Sequence, residues 1–120
     1  VTVYSGFREA KVEAFALCNK SVQFLTGINY HPTTVTKEGK NYICTWGIHP
    51  EDVAAFQVAI GAAIIYNTDD FVSIKKQQNE YQLISKPTKY LSIWITAASE
   101  REDDLNNMEK FLNYIETLKN

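Results

Sequence analysis

The sequence has little of what a catalytic or cofactor site is usually built from. Its glycines are isolated, as at Gly27 and Gly39, so there is no glycine-rich phosphate loop. Its two histidines and two cysteines lack the close pairing typical of zinc ligands, and no activating signature accompanies either cysteine. We therefore predict that the protein is not an enzyme and has no catalytic residue, metal or cofactor. The residues considered for such sites are Cys18, Cys44, His31 and His49.

The chain also lacks an excess of charge of either sign. Lysine and arginine number 12, aspartate and glutamate number 14, and the formal net charge is -2. This balance gives no general electrostatic reason to expect binding to nucleic acid or to an anionic membrane. No apolar run reaches the roughly 20 residues that a membrane-spanning helix needs.

No secretory signal is visible, because the first fifteen residues carry charges and no apolar run. The chain begins at Val1 and not at methionine, so a trimmed segment stays an open alternative. Cys18 falls on a predicted helix and Cys44 in a predicted strand, which indicates two buried thiols in a reducing compartment. A single disulfide between them also stays open. We expect a cytoplasmic protein.

What is present is the composition of an ordinary globular domain. The chain has 120 residues, of which 45% are hydrophobic and 22% charged, which fits one domain over residues 1–120. Seven tyrosines, six phenylalanines and two tryptophans supply bulky side chains for a core.

The segment from Pro50 to Tyr66 is the most apolar part of the chain and is predicted to be a central helix. Pro50 suits the first helical position, and Glu51 and Asp52 place negative charge at the positive end of the helix dipole. The rest is apolar on nearly all sides, so the helix must be covered on more than one face.

Two further helices are predicted, one at each end of the chain. Ser5 can cap the first, from about Gly6 to Asn19, although the alternation in FREAKVEAF also suits a strand. The last begins at Ser99, where Ser99-x-x-Glu102 forms a capping box before an apolar stripe that ends at Leu118.

Five strands are predicted between the helices. Val22 to Gly27 and Asn41 to Trp46 form a pair, separated by a loop from Ile28 to Lys40. Three more strands form an antiparallel meander because their connections are short. Those strands are Phe71 to Lys75, Tyr81 to Ser85 and Tyr90 to Thr96.

The predicted order, α-ββ-α-βββ-α, indicates an α+β fold with an antiparallel sheet of about five strands and helices packed on its faces. A ferredoxin-like arrangement is the alternative if Val1 to Tyr4 pairs as a strand.

This element order resembles profilins and, to a similar extent, the smaller roadblock-type dynein light chains. Two stretches carry the resemblance: YICTWGIHPEDVAAF, and YLSIWITAASEREDDLNNMEKFLNYIETL at the end of the chain. The long loop of the first hairpin departs from both families, and the link after the central helix is shorter than in most profilins.

The profilin resemblance implies a cytoskeletal protein that binds monomeric actin and proline-rich segments. It places Tyr4, Trp46 and Tyr114 at an aromatic polyproline site, since an extended ligand loses little entropy on such a surface. The alternative is that these three are ordinary core aromatics. The candidates for actin contact are Lys75, Lys76, Lys86, Lys89, Asn106, Asn107, Lys110 and Asn113, whose alternative is a solubilising surface or, less favoured, a nucleic-acid surface.

The roadblock resemblance implies instead a homodimeric scaffold for small GTPases or motors. Small residues on the central helix would let a second copy approach closely. The dimerisation candidates are Ala55, Ala59, Ala62 and Ala63, and the alternative is that they pack against the chain's own sheet. A third hypothesis is a small phage or immunity protein that inhibits an enzyme or sequesters a nucleotide signal.

Overall fold

The computed structural model describes residues 1–52 and 56–118, and half of the chain is in strands. The described secondary structure also includes a 3-10 helix at Thr68–Asp70 and an α-helix, α1, at Met108–Thr117. The nine strands are β1 (Thr2–Val3), β2 (Ala10–Phe15), β3 (Leu25–Asn29), β4 (Thr34–Glu38), β5 (Tyr42–Ile48), β6 (Ala59–Ile65), β7 (Phe71–Gln77), β8 (Glu80–Ser85) and β9 (Tyr90–Ser99).

The strands form two antiparallel sheets. The large sheet has six strands in the order β1-β2-β9-β6-β5-β4, and the small sheet has the order β3-β8-β7. The small sheet packs on one face of the large sheet, which we call the inner face, and α1 packs on the other, the outer face. The fold is therefore a β-sandwich with one helix on its outside.

Successive side chains along each strand of the large sheet point to opposite faces, and the apolar ones form a hydrophobic core on each face. On the inner face, Ile43, Ile64 and Ile93 pack against Tyr81 and Leu83 of the small sheet. The next residues along the same strands point to the outer face, where α1 covers them with two fully buried side chains. This outer core consists of Tyr42, Cys44, Ala63, Ile65, Ala98, Phe111 and Ile115.

The predicted central helix is wrong. Ala59–Ile65 is a strand in the middle of the large sheet, and Glu51 and Asp52 lie in a turn. Because β6 is buried on both faces, its sequence reads as a continuous apolar run, and periodicity alone cannot separate such a strand from a buried helix. The part of this prediction that falls on residues 53–55 lies outside the described residues.

The first predicted helix, from Gly6 to Asn19, is also wrong, because Ala10–Phe15 is the strand β2. Its alternation matches the two faces of the sheet: Val12 packs against the inner core, while Lys11 and Glu13 lie on the outer face. The helical spacing of apolar residues in this segment was incidental.

The predicted loop from Ile28 to Lys40 contains the strand β4, which pairs with β5 from Thr34 to Glu38. The predicted meander is wrong in its last step. β7 and β8 form a hairpin in the small sheet, whereas β9 crosses to the large sheet and pairs with β2 and β6. The short connections correctly predicted that three strands follow one another in the chain. They did not show that the third strand, β9, joins a different sheet from β7 and β8.

The terminal helix is confirmed but begins later than predicted. The Ser99 amide donates to Glu102 Oε1 at 3.2 Å and the Arg101 amide to Ser99 Oγ at 3.2 Å, so capping-box contacts do form. They close a turn after β9, and the helix itself begins at Met108, where Asn107 Oδ1 accepts from the Lys110 amide at 2.9 Å.

The predicted α+β class is therefore wrong, and so is its ferredoxin-like alternative, because the described residues form nine strands and one α-helix. The element order on which the profilin and roadblock resemblances depend is not the order of this fold. None of the described helices is long and apolar enough to cross a membrane.

Candidate binding site

The helix α1 leaves half of the outer face open. It contacts β5 and β6, and a helix about 10–12 Å wide covers only about two strands spaced about 4.8 Å apart. The outer-facing side chains of β2 and of the first part of β9 therefore lie beyond it. We call the outer-facing side chains Lys11, Glu13, Phe15, Tyr90, Ser92 and Trp94 the open half.

Three aromatic rings meet where the open half borders the end of α1. The ring centroids of Tyr4 and Trp94 are 5.8 Å apart, and those of Tyr4 and Phe7 are also 5.8 Å apart. Tyr4 and Phe7 are 41% and 56% exposed. We call these three side chains the aromatic cluster.

A tight turn brings Tyr4 and Phe7 together. The Phe7 amide donates to the Tyr4 carbonyl at 3.1 Å, and Gly6 has φ +80 at the third position of that turn. A positive φ at this position is what a type II turn requires, and glycine adopts it without strain. The stretch Tyr-Ser-Gly-Phe therefore places two aromatic residues side by side over β9.

Arg8, which follows this turn, forms hydrogen bonds with Ala97 and Glu102. Its guanidinium donates to the Ala97 carbonyl at 3.0 Å and to both carboxylate oxygens of Glu102, at 3.0 and 2.5 Å. A bidentate contact of this kind fixes both position and orientation. The turn that carries Tyr4 and Phe7 is thus held against the end of β9.

The cluster borders a groove of about 220 Å³ between the N-terminal segment and the end of α1. Most of its lining is apolar, and Glu9 supplies a carboxylate. The lining residues are Phe7, Glu9, Ile65, Trp94, Thr117 and Leu118. This size and mixture suit one or two small side chains of a ligand.

Glu9 accepts a hydrogen bond from the Tyr114 hydroxyl at 2.5 Å. Burial and then this bond to Glu9 raise the pKa of Tyr114 to about 12, so the phenol stays a donor at neutral pH. The salt bridges of the described residues are Arg8–Glu102 and Lys11–Glu13, so within that part of the chain Glu9 has no cationic partner. The groove can therefore offer a carboxylate to a cationic ligand group.

Of the three predicted polyproline residues, Tyr4 and Tyr114 contact residues that line this groove, and Trp46 lies away from it. The Trp46 ring packs on Phe111, with centroids 5.9 Å apart, over Gly61 in the outer core. Trp94 takes the place that was predicted for Trp46. Its alternation with Tyr90 and Ser92, opposite Leu91 and Ile93, was the available signal, because a face that mixes serine with aromatics is typical of partial exposure.

The residues predicted for actin contact are not brought together. Lys75 and Lys76 lie on β7 of the small sheet, whereas Lys110 and Asn113 lie exposed on α1, on the opposite side of the large sheet. Lys76 donates to Thr36 Oγ1 at 3.1 Å and lies over the Tyr30 and Tyr81 rings. The remaining candidates are Lys86 and Lys89 in the β8–β9 connection and Asn106 and Asn107 just before α1.

The alanines predicted for dimerisation are also dispersed. Ala59 and Ala63 are buried on the outer face, whereas Ala62 is partly buried and points to the inner face. Ala55 lies outside the described residues. In this fold the set does not form one surface.

The two histidines do meet, with ring centroids 4.8 Å apart, but Cys18 is exposed and Cys44 is buried, and both thiols are free. Cys18 was predicted to be buried, and that part of the prediction is wrong. No group of three or more potential metal ligands occurs in the described residues.

Comparisons of the chain with protein-family models, with curated proteins and with solved structures found no match.

Proposed function

We propose that this chain is a non-catalytic protein-binding module, and that its aromatic cluster and groove bind a proline-rich segment that carries a basic residue. The observation that supports this most directly is the meeting of Tyr4, Phe7 and Trp94 beside the carboxylate of Glu9, for which the described residues supply no ion-pair partner. Proline-rich segments dock on aromatic surfaces because they are already extended and lose little entropy on binding.

The charge of the site favours one kind of proline-rich ligand. Glu9 lines the groove and accepts from Tyr114 without an ion-pair partner among residues 1–52 and 56–118. An arginine or lysine next to the prolines could pair with this carboxylate while the proline rings stack on the aromatic cluster. The ligand class is therefore a basic proline-rich peptide of another protein.

The two tryptophans allow the proposal to be tested by fluorescence. A synthetic decaproline peptide with one terminal arginine is titrated into the wild-type protein, and we expect a saturable change in tryptophan emission. Trp94→Phe should abolish the change, whereas the matched variant Trp46→Phe, which alters the tryptophan under α1, should retain it. Binding without any effect of Trp94→Phe on affinity or emission, or no saturable binding, would contradict the proposal.

Glu9→Gln tests the electrostatic part separately. We expect the arginine-bearing peptide to lose its advantage over plain decaproline, because the carboxylate that pairs with the guanidinium has been removed. Plain decaproline should bind the variant as it binds the wild type. An unchanged preference for the arginine-bearing peptide would exclude Glu9 as the partner.

Binding to actin, a roadblock-like homodimer and a phage or immunity inhibitor stay predictions. The first two depended on an element order that this fold does not have, so the geometry adds nothing to them. A cytoplasmic location is part of the proposal and is supported by the two free thiols, of which the Cys18 thiol is exposed.

A further inference from the structure

The two histidines of the chain lie close together at one end of the β4–β5 pair. His31 precedes β4 and His49 follows β5, and their ring centroids are 4.8 Å apart with the ring planes at 73°. Both residues are partly buried. Although they are far apart in sequence, the antiparallel pairing places the start of β4 beside the end of β5 and so brings them together.

Several hydrogen bonds hold the backbone around both histidines. The His31 amide donates to Thr34 Oγ1 at 3.0 Å, and the His31 carbonyl accepts from the Thr34 amide at 2.9 Å. The Thr33 hydroxyl donates to the Ile48 carbonyl at 2.7 Å, which links the segment before β4 to the residue before His49. The two imidazoles are therefore attached to backbone segments that are held next to each other.

The ring nitrogens are available to a ligand. Among residues 1–52 and 56–118, no hydrogen bond or salt bridge involves the side chain of either histidine. The buried side-chain polar atom without a partner in this part of the chain is Thr96 Oγ1, so the unpartnered ring nitrogens are exposed to solvent. A ring nitrogen with a free lone pair is a good ligand for Zn²⁺, Cu²⁺ and Ni²⁺.

The spacing of the two rings fits binding of a single ion between them. A metal ion binds an imidazole nitrogen at about 2.0–2.1 Å, which places it about 3.2 Å from the ring centre. At that distance, ring centres 4.8 Å apart subtend about 97° at the ion, between the angles of square-planar and tetrahedral sites. The bond that joins Cβ to the ring rotates over a broad range in histidine, so both nitrogens can turn toward one ion.

We propose that His31 and His49 together bind one ion of a late first-row transition metal, Zn²⁺, Cu²⁺ or Ni²⁺, with water at its remaining positions. The site has two protein ligands, because no group of three or more potential ligands occurs in the described residues. Glu51 and Asp52 follow His49 in an exposed turn and add negative charge that attracts a cation. Sequence patterns for zinc sites rely on ligands close together in the chain, so a pair formed by strand pairing is not visible in them.

Nickel binding tests the pair directly, because the chain has no other histidines. The protein is prepared without a histidine tag and with Cys18→Ser throughout, since the exposed thiol of Cys18 also binds such metals. NiCl₂ is titrated into it by isothermal titration calorimetry, and we expect saturation at one ion per chain. No saturable binding would overturn the proposal.

Histidine variants show whether the two rings act together. His31→Gln and His49→Gln should each weaken nickel binding about tenfold or more, because removal of either ring leaves a single ligand. The double variant should be about as weak as either single variant. Binding that is unchanged in the double variant, or losses that simply add, would overturn the shared site.

Glu51→Gln is the matched control for charge. It removes a carboxylate close to His49 in sequence but no proposed ligand, so it should bind nickel within about twofold of the Cys18→Ser protein, because an exposed charge is largely screened. A loss as large as that of the histidine variants would assign the ion to the acidic turn and overturn the two-histidine site.

Paramagnetic broadening locates the ion without altering either histidine, so the proposal can be tested even if a histidine variant does not fold. Ni²⁺ added to the ¹⁵N-labelled Cys18→Ser protein should broaden the amide signals of His31, Thr33, Ile48 and His49 first. Broadening centred on the acidic residues 100–104, with these four signals unaffected, would overturn the proposal.

The histidine pair and the aromatic groove lie at opposite ends of β6. Ile48, next to His49, pairs with Ala59 at the start of β6, whereas Ile65 at its end lines the groove. Saturating Ni²⁺ should therefore leave the affinity for the arginine–decaproline peptide unchanged, and Trp94→Phe should leave nickel binding unchanged. Displacement of the peptide by Ni²⁺ would place the ion in the groove and overturn the assignment to the histidines.

Discussion

The outer face of the large sheet is covered in one half and open in the other. Under α1, Tyr42 and Ile65 are 5% and 2% exposed, while Tyr90 and Phe15, on the same face of the same sheet, are 41% and 62% exposed. Both halves contain large aromatic side chains, yet one is a core and the other is a partly exposed surface. The difference follows from the width of a single helix, which contacts β5 and β6 and does not reach β2 or the first part of β9.

The comparison suggests a division of roles. The covered half contributes to stability through packed side chains, so changes there should unfold the protein. The open half contributes little to stability, and its aromatic side chains are available to ligands. The predictions below test whether stability and binding divide along this line.

The largest effect is expected at Phe111, which is fully buried between α1 and the sheet. Phe111→Ala removes most of its side chain and leaves a cavity, which should lower the free energy of unfolding by about 3–5 kcal/mol. Urea denaturation followed by circular dichroism measures the change. A loss below about 1 kcal/mol would mean that α1 is not docked as described.

Alkaline pH should act mainly on the buried groups. Burial raises the pKa of Cys44 and of Tyr66 to about 12, from 9.0 and 10.0. Both groups lose protons first in the unfolded chain, so their contribution to stability is constant below about pH 9 and falls as pH rises toward 12. For Tyr66, a pKa raised from 10.0 to about 12 amounts to a loss of at most about 3 kcal/mol.

Tyr66→Phe separates the tyrosine from the thiol. Urea midpoints of wild type and variant are measured at several pH values from 8 upward, and the wild-type midpoint should fall relative to that of the variant as pH rises, because the variant lacks this titrating group. Parallel curves for the two proteins over the whole range would contradict the buried position of Tyr66.

A smaller effect is expected at Gly61, which lies beneath the contact between Trp46 and Phe111. An added Cβ would lie 2.4 Å from Trp46 Cε3 and 2.7 Å from Phe111 Cδ2, so both rings would have to move. Gly61→Ala should therefore cost about 1–3 kcal/mol of stability, and near-ultraviolet circular dichroism should report the displaced tryptophan. Gly6→Ala is a matched control for packing, since an added Cβ there meets nothing within 4 Å and only the backbone at φ +80 is strained.

The sequence predicts part of this fold, and the reasons for its failures are physical. The strands around Tyr42, Phe71, Tyr81 and Tyr90 and the helix through Phe111 were all predicted. The segment from Pro50 to Tyr66 was predicted to be covered on more than one side, which holds for Ala59–Ile65 but not for Phe56, which is 77% exposed. A strand buried on both faces has no alternation to reveal it. Which sheet β9 joins depends on contacts far apart in the chain, and no local pattern encodes it.

For the candidate site too, the sequence predicted only some of the residues. Tyr4 and Tyr114 were predicted as ligand-binding aromatics near the chain ends, and each contacts a residue that lines the groove; their binding role stays a prediction. Trp94 was missed and Trp46 chosen, although both alternate correctly in their strands. Both tryptophans are partly buried against the outer core, but the Trp46 ring contacts Phe111 of α1 whereas the Trp94 ring contacts Tyr4 and lines the groove. Which ring meets the helix and which meets the N-terminal segment cannot be read from strand periodicity.

The smallest effect is expected at Phe15 in the open half. Its ring contacts Tyr90 but is mostly exposed, so Phe15→Ala should change the free energy of unfolding by no more than about 0.5 kcal/mol. Comparing the unfolding free energies of Phe15→Ala and Phe111→Ala shows what the same substitution costs in the open and in the covered half of the outer face. A loss at Phe15 above about 2 kcal/mol would show that something covers the open half in solution, and light scattering would then decide whether a second copy covers it.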